Sequence, residues 1–132
     1  MDAEVEIGQE LDELAARYTG ALARQDVEGL VACYAEDAQF LIPGAPILRG
    51  REAVANYMRA WVKDGPVRVR FERRDVQADG AIVVEVGEIV GPSGPRSKYV
   101  VVYRRQPDGS LQIAVDSSSS LGEQPPAKEA AG

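Results

Sequence analysis

The sequence holds no histidine and a single cysteine, Cys33, in 132 residues. Without histidine there can be no Ser-His or Cys-His nucleophile pair, and the usual zinc and non-haem iron sites lose their commonest ligand. The commonest general base is gone too. One cysteine cannot close an internal disulfide or build a cysteine metal cluster. Acid-base chemistry therefore falls to carboxylates, tyrosines, lysines or bound water, and neither metal nor cofactor is expected. No window approaches the ~18 consecutive apolar residues of a membrane span. The opening Met1-Asp2-Ala3-Glu4 is acidic where a secretory signal would be basic, so the expectation is a cytoplasmic protein without a membrane partner. Positive charge is also short: 15 Lys and Arg face 21 Asp and Glu, a net charge of −6. That balance argues against nucleic acid, whose binding rests on neutralised phosphates.

What remains is the composition of a soluble globular protein, 45% hydrophobic and 27% charged, of one-domain length. From Val5 to Arg24 the residues Ile7, Leu11, Leu14, Ala15, Tyr18 and Leu22 recur at spacings of three and four, one face of a helix. Asp26 reads as the N-cap of a short second helix with Val27, Leu30, Val31 and Tyr34 on one face, ended by a turn at Glu36-Asp37-Ala38. Gln39 to Ile42 is a short strand stopped by Pro43-Gly44, and Val54, Tyr57, Met58, Trp61 and Val62 mark a third helix over Arg51 to Lys63.

The period then changes to two. Val67, Val69 and Phe71 alternate with charged residues, and turn chemistry at Asp79-Gly80, Gly91-Pro92-Ser93-Gly94-Pro95 and Pro107-Asp108-Gly109 separates Ala81 to Val90, Arg96 to Arg105 and Ser110 to Ser120. This predicts a four-stranded meander. The fold class is α+β: three N-terminal helices on a curved antiparallel sheet, a cone-shaped α+β barrel around an apolar pocket. Residues 1–120 form the expected single domain, and 121–132, with Pro125-Pro126, the expected disordered tail.

The segments Arg17 to Asp26, Tyr34 to Phe40, Pro43-Gly44, Arg49 to Ala53, Lys98 to Arg105 and Asp116, in this order, resemble the ketosteroid isomerase-like superfamily, where SnoaL-type polyketide cyclases also sit. The resemblance covers residues 10 to 120 and implies the nuclear transport factor two-like, cystatin-like fold. That fold hosts isomerases, dehydratases, cyclases, epoxide hydrolases and non-catalytic modules, so it does not choose a reaction. Ketosteroid isomerase uses an Asp base with an oxyanion hole of Tyr and a protonated Asp. Carried over by position, Tyr18 matches the oxyanion-hole tyrosine, whereas Ile42 stands at the base and Val101 at the protonated Asp. Two groups of three are absent, which argues against steroid isomerisation by that mechanism.

The resemblance turns Asp116 inward from the last strand together with Gln112, Ala114 and Ser118. A carboxylate among apolar groups has a raised pKa and suits proton transfer, or else serves as a hydrogen-bonded structural residue. Tyr18 is either a core tyrosine or a donor to a ligand carbonyl or to Asp116. Tyr99, Val101, Tyr103, Tyr57 and Trp61 wall a ligand pocket or pack a plain core, and Ser118 gives the pocket a polar end. Glu85 and Glu88 lie on opposite parities, and only one of them can face inward. Arg68, Arg70, Arg73 and Arg74 form a basic cluster whose first two members alternate with apolar residues and read as a solvated sheet face, Asp37 reads as a local cap, Arg49 and Arg51-Glu52 as local pairs, and Cys33 as a buried thiol. Val100 and Val102, beside Ile113 and Val115, would form an outward apolar patch for a two-fold homodimer. The implied function is small apolar ligand binding, with or without cofactor-free isomerase, cyclase or lyase chemistry on a carbonyl compound. The alternative is a non-catalytic binding or dimerisation module.

Overall fold

A computed structural model describes residues 3–120; the expected tail at 121–132 lies outside them. Helix α1 (Ala3–Arg24) buries Leu11, Leu14, Tyr18 and Leu22 of the expected stripe and also Ala21, while Ile7 and Ala15 are half-buried. It stops where Gln25 turns left-handed at φ 58°, a conformation that breaks the helical ladder. Asp26 then caps α2 (Val27–Val31), its carboxylate accepting from the Gly29 N–H at 3.0 Å. Helix α3 (Gly50–Val62) buries Val54, Met58 and Val62, and the Gln25 side-chain amide donates to the Val62 carbonyl at 2.6 Å. No described helix is long and apolar enough to cross a membrane.

Six strands follow the order β2-β1-β6-β5-β4-β3. They are β1 (Tyr34–Leu41), β2 (Leu48–Arg49), β3 (Arg70–Asp79), β4 (Ile82–Gly91), β5 (Gly94–Arg105) and β6 (Leu111–Ser120). The last four make the expected antiparallel meander, with Gly80 (φ 59°) and Gly109 (φ 90°) supplying the left-handed turn positions. Strand β1 adds to it parallel to β6, because α3 and the meander return the chain in the same direction, and β2 hairpins onto β1. The fold is α+β as expected, its curved sheet mixed and left unclosed between β2 and β3.

Four local expectations change. Tyr34 leaves the α2 stripe and opens β1, so Glu36 and Asp37 are strand residues, and Asp37 pairs with Arg104 across the sheet instead of capping a turn. Strand β3 begins at Arg70, not at Val67. Arg51 does not pair locally: its Nε donates to the Tyr34 carbonyl at 2.8 Å and anchors the start of β1. In β6 the register shifts between Val102↔Val115 and Tyr103↔Ile113, which leaves Ala114 as an extra residue. That bulge reverses parity. Ile113 is buried with the core and not on the outer face, while Asp116 and Ser118 still face in. The outer apolar face is carried by the pairs Val86↔Val100 and Val84↔Val102↔Val115.

Candidate functional site

One rung of the sheet organises the interior. Val76, Glu85, Val101, Asp116 and Phe40 are successive register partners across β3, β4, β5, β6 and β1. Two carboxylates thus flank Val101, their backbones about 10 Å apart by strand spacing. Above the rung, α1 and α3 leave a cavity of about 270 Å³. Tyr18, Ile42, Tyr57, Trp61, Tyr99, Val101, Tyr103, Asp116 and Ser118 all border it, with Glu85 among them.

Asp116 accepts from the Tyr34 hydroxyl at 2.6 Å through Oδ2, and the Tyr34 oxygen lies 2.7 Å from that of Tyr18. Tyr18 therefore reaches Asp116 only through Tyr34. Oδ1 of Asp116 takes no hydrogen bond among the described residues, and since no described polar side-chain atom is both buried and unpaired, it is open to the cavity that Asp116 lines. Loss of hydration pushes this carboxyl up to about 6; the Tyr34 bond pulls the other way and the charge of Glu85 adds to the rise. Burial, with Asp116 nearby, holds Tyr18 and Tyr34 well above the usual tyrosine range, so both keep their protons.

Glu85 is 5% exposed and has both oxygens engaged. Tyr99 donates to Oε2 at 2.5 Å and Tyr103 to Oε1 at 2.8 Å. Burial first, and the bonds and charge of Glu85 next, drive both tyrosines far upward. Room for Tyr99 comes from its register partner Gly87: a Cβ there would stand 2.5 Å from the Tyr99 hydroxyl and 2.5 Å from the Glu72 carbonyl. Glu88, on the other parity, lies on the surface side and pairs with Arg74 at 2.7 Å.

A sequence profile of the SnoaL-like domain matches residues 15–113. The chain belongs to that family. No curated protein matches this SnoaL-like chain. Among solved structures it is similar to Rv3472 of Mycobacterium tuberculosis, a protein of unknown function, at 26% identity, covering 96% of this chain and 76% of that one, with a TM-score of 0.72. It also shares its fold with an NTF2-like protein of cystatin-like fold from Novosphingobium aromaticivorans, at 23% identity, 96% and 88% coverage and TM-score 0.70. A ketosteroid isomerase-like protein from Erwinia carotovora atroseptica matches at 21% identity, 85% and 94% coverage and TM-score 0.67.

Every aromatic residue of this SnoaL-like domain lines or backs the cavity. Trp61, Tyr57, Phe40, Tyr34, Tyr18, Phe71 and Tyr99 form an unbroken arc of tilted and edge-to-face pairs with centroids 5.0 to 6.2 Å apart, and Tyr103 completes the set. Such pairs stiffen a wall while leaving flat faces for a ligand. The polar edge lies along β5 and β6. The rung Tyr99↔Ser118 is followed by Ser97↔Ser120, where Ser120 is exposed and Arg96 is beside it at the rim.

Two residues escape the sequence reading. Tyr34 continues the spacing of Leu30 and Val31 and so imitates helix. Glu85 sits among Val83, Val84 and Val86, where both parities are apolar and neither announces the interior. Cys33 is buried, its thiol directed at the Gly29 carbonyl and pushed up by burial, away from this cavity. The described residues contain no group of three or more Cys, Asp and Glu side chains placed to hold a metal ion.

Proposed function

We propose that this domain binds one small, flat, largely apolar molecule in the cavity and exchanges a proton with it through Asp116. The reading is a cofactor-free isomerase, cyclase or lyase acting on a carbonyl compound. One observation carries it: Asp116, whose carboxyl burial pushes up to about 6, turns an oxygen with no partner among the described residues onto an aromatic-walled cavity. A base poised near the working pH is what such proton transfer needs. Ile42 and Val101 border the cavity without acid-base groups, and Asp116, one strand from Val101, supplies the carboxylate instead.

The test is a thermal-shift panel of steroids, polyketide-like aromatics and short enones, because a ligand that binds only the folded chain raises its melting temperature. With the ligand in hand, Asp116→Asn should lose product formation by about a hundredfold or more even at saturating ligand. Product formation left intact by that change would retire the catalytic reading and leave a binding module. A second reading has its own observation, the exposed and directly paired Val86 and Val100 on the outer face. These support a two-fold dimer, and Val100→Asp should then halve the mass seen in sedimentation.

A further inference from the structure

Counting hydrogens in the cavity sharpens the kind of molecule it takes. A tyrosine hydroxyl has one hydrogen to give. Tyr34 spends its own on Asp116 Oδ2, so the 2.7 Å contact with Tyr18 is satisfied only if Tyr18 donates to Tyr34. Tyr99 and Tyr103 spend theirs on Glu85. At the buried end, then, Tyr18 and Asp116 show the ligand lone pairs and no hydrogen. Uncommitted donors remain on Tyr57 of α3 and toward the open edge, on Ser118, Ser97, Ser120 and the rim guanidinium of Arg96, none of which has a hydrogen-bond partner among the described residues.

We propose that the buried end of the cavity is a seat for an O–H or N–H donor, held on Asp116 Oδ1, and that a ligand carbonyl is directed to the open edge. This rests on the reading of the cavity as a small-molecule site and names the chemistry of that molecule: a flat apolar body with a hydroxyl or ammonium at its deep end. A carbonyl oxygen placed against Tyr18 would meet another oxygen. The polarity reverses when Asp116 takes up a proton at Oδ2, because Asp116 then donates to Tyr34, Tyr34 to Tyr18, and Tyr18 to the ligand. The titratable groups that sense Asp116 are Tyr18 on α1, Tyr34 on β1, Tyr57 on α3, and Tyr99 and Tyr103 on β5, and the charge of Glu85 on β4 acts on Asp116 in turn. The tyrosines hold their hydrogens throughout, so the switch lies with the carboxyl.

Trp61, the only tryptophan, sits on the cavity wall and reports occupancy by its emission. The probes are 1-indanol, 1-aminoindane and 1-indanone, which share one bicyclic body and differ in the group they offer Asp116. At about pH 8 the alcohol, the ammonium or both should bind about tenfold more tightly than the ketone, and near pH 5 the gap between alcohol and ketone should close to about threefold or less. In Asp116→Asn the side-chain oxygen accepts from Tyr34 and the NH₂ faces the cavity, so the ketone should lead at both pH values. Binding by the alcohol and not the amine marks a neutral ligand, and the reverse marks a cationic one; either supports the seat. A ketone that binds best to the unmodified chain at pH 8, or an alcohol preference untouched in Asp116→Asn, overturns the proposal. If none of the three moves the Trp61 emission, the small-molecule reading itself fails and the donor seat falls with it.

Discussion

Glu85 and Asp116 stand on the same rung of the sheet, either side of Val101, and border the same cavity, yet they are treated in opposite ways. Glu85 has a tyrosine hydroxyl on each oxygen and 5% exposure. Asp116 has one tyrosine on Oδ2 and an Oδ1 left to the cavity. The first arrangement satisfies a buried carboxylate completely and leaves it nothing to offer a ligand. The second satisfies half and leaves one oxygen facing the cavity. Placement on one rung decides neither outcome; the number of donors supplied by neighbouring strands does.

The comparison can be broken most forcefully at the closed end. Glu85→Ala would strand the Tyr99 and Tyr103 hydroxyls, each costing about 1–3 kcal/mol when buried without a partner. Urea unfolding should show a total loss of about 2–6 kcal/mol. At the open end the sign is opposite. The folded state keeps the Asp116 proton up to about pH 6, whereas the unfolded chain releases it near the usual carboxylate value of 3.8. Folded Asp116 therefore binds more protons than unfolded Asp116 between these limits, and stability falls as pH rises through them. The whole cost is present above about pH 6 and vanishes below about pH 4. A tenfold change in proton affinity is worth roughly 1.4 kcal/mol. Asp116→Asn should consequently stabilise the domain by about 1–3 kcal/mol at neutral pH and by almost nothing in acid. Melting curves across pH check it, and a variant uniformly less stable would refute the raised pKa.

A finer probe is Tyr34→Phe, which removes the one bond that favours the charged form of Asp116. The Asp116 midpoint, followed by carbon NMR of the labelled carboxyl, should move further up, with a stability loss of about 1 kcal/mol. The smallest effect belongs to Glu88→Ala. Three residues from Glu85 but on the wet parity, its pairing with Arg74 is a surface one, and removal should change stability by less than about 1 kcal/mol.

The fold was largely readable because its signals are local. The stripe of α1 and the turns at Asp79-Gly80 and Pro107-Asp108-Gly109 need no knowledge of distant residues. The site needed more, and its weak points are the bulges. Counting back from the tight turn at Pro92-Ser93, where Gly91 faces Gly94, an unbroken ladder would pair Glu85 with Val100 and turn it outward. The register shift between Ile89 and Val90 adds one residue, Arg96, pairs Glu85 with Val101 and brings it inside. In β6 the extra Ala114 likewise let Ile113 and Asp116, of opposite parity, face the same way. A period of two cannot see an inserted residue. The parallel partnership of β1 with β6 was hidden for another reason: Tyr34 fits a helical stripe, and only long-range contacts, its pairing with Ile113 and the anchor from Arg51, reveal it as the first residue of a strand.

Gly87 bears no functional group, and its backbone does not demand glycine by its dihedral angles. Its hydrogen is nevertheless what lets the Tyr99 hydroxyl pass to Glu85, since the smallest side chain would collide with both that hydroxyl and the Glu72 carbonyl. In a saturation library scored for folding, this position should tolerate as little as Glu85 itself, and a hunt for catalytic residues by mutational sensitivity would pick it out wrongly. Sensitivity here maps the space a hydrogen bond occupies, at a residue that supplies neither of its atoms.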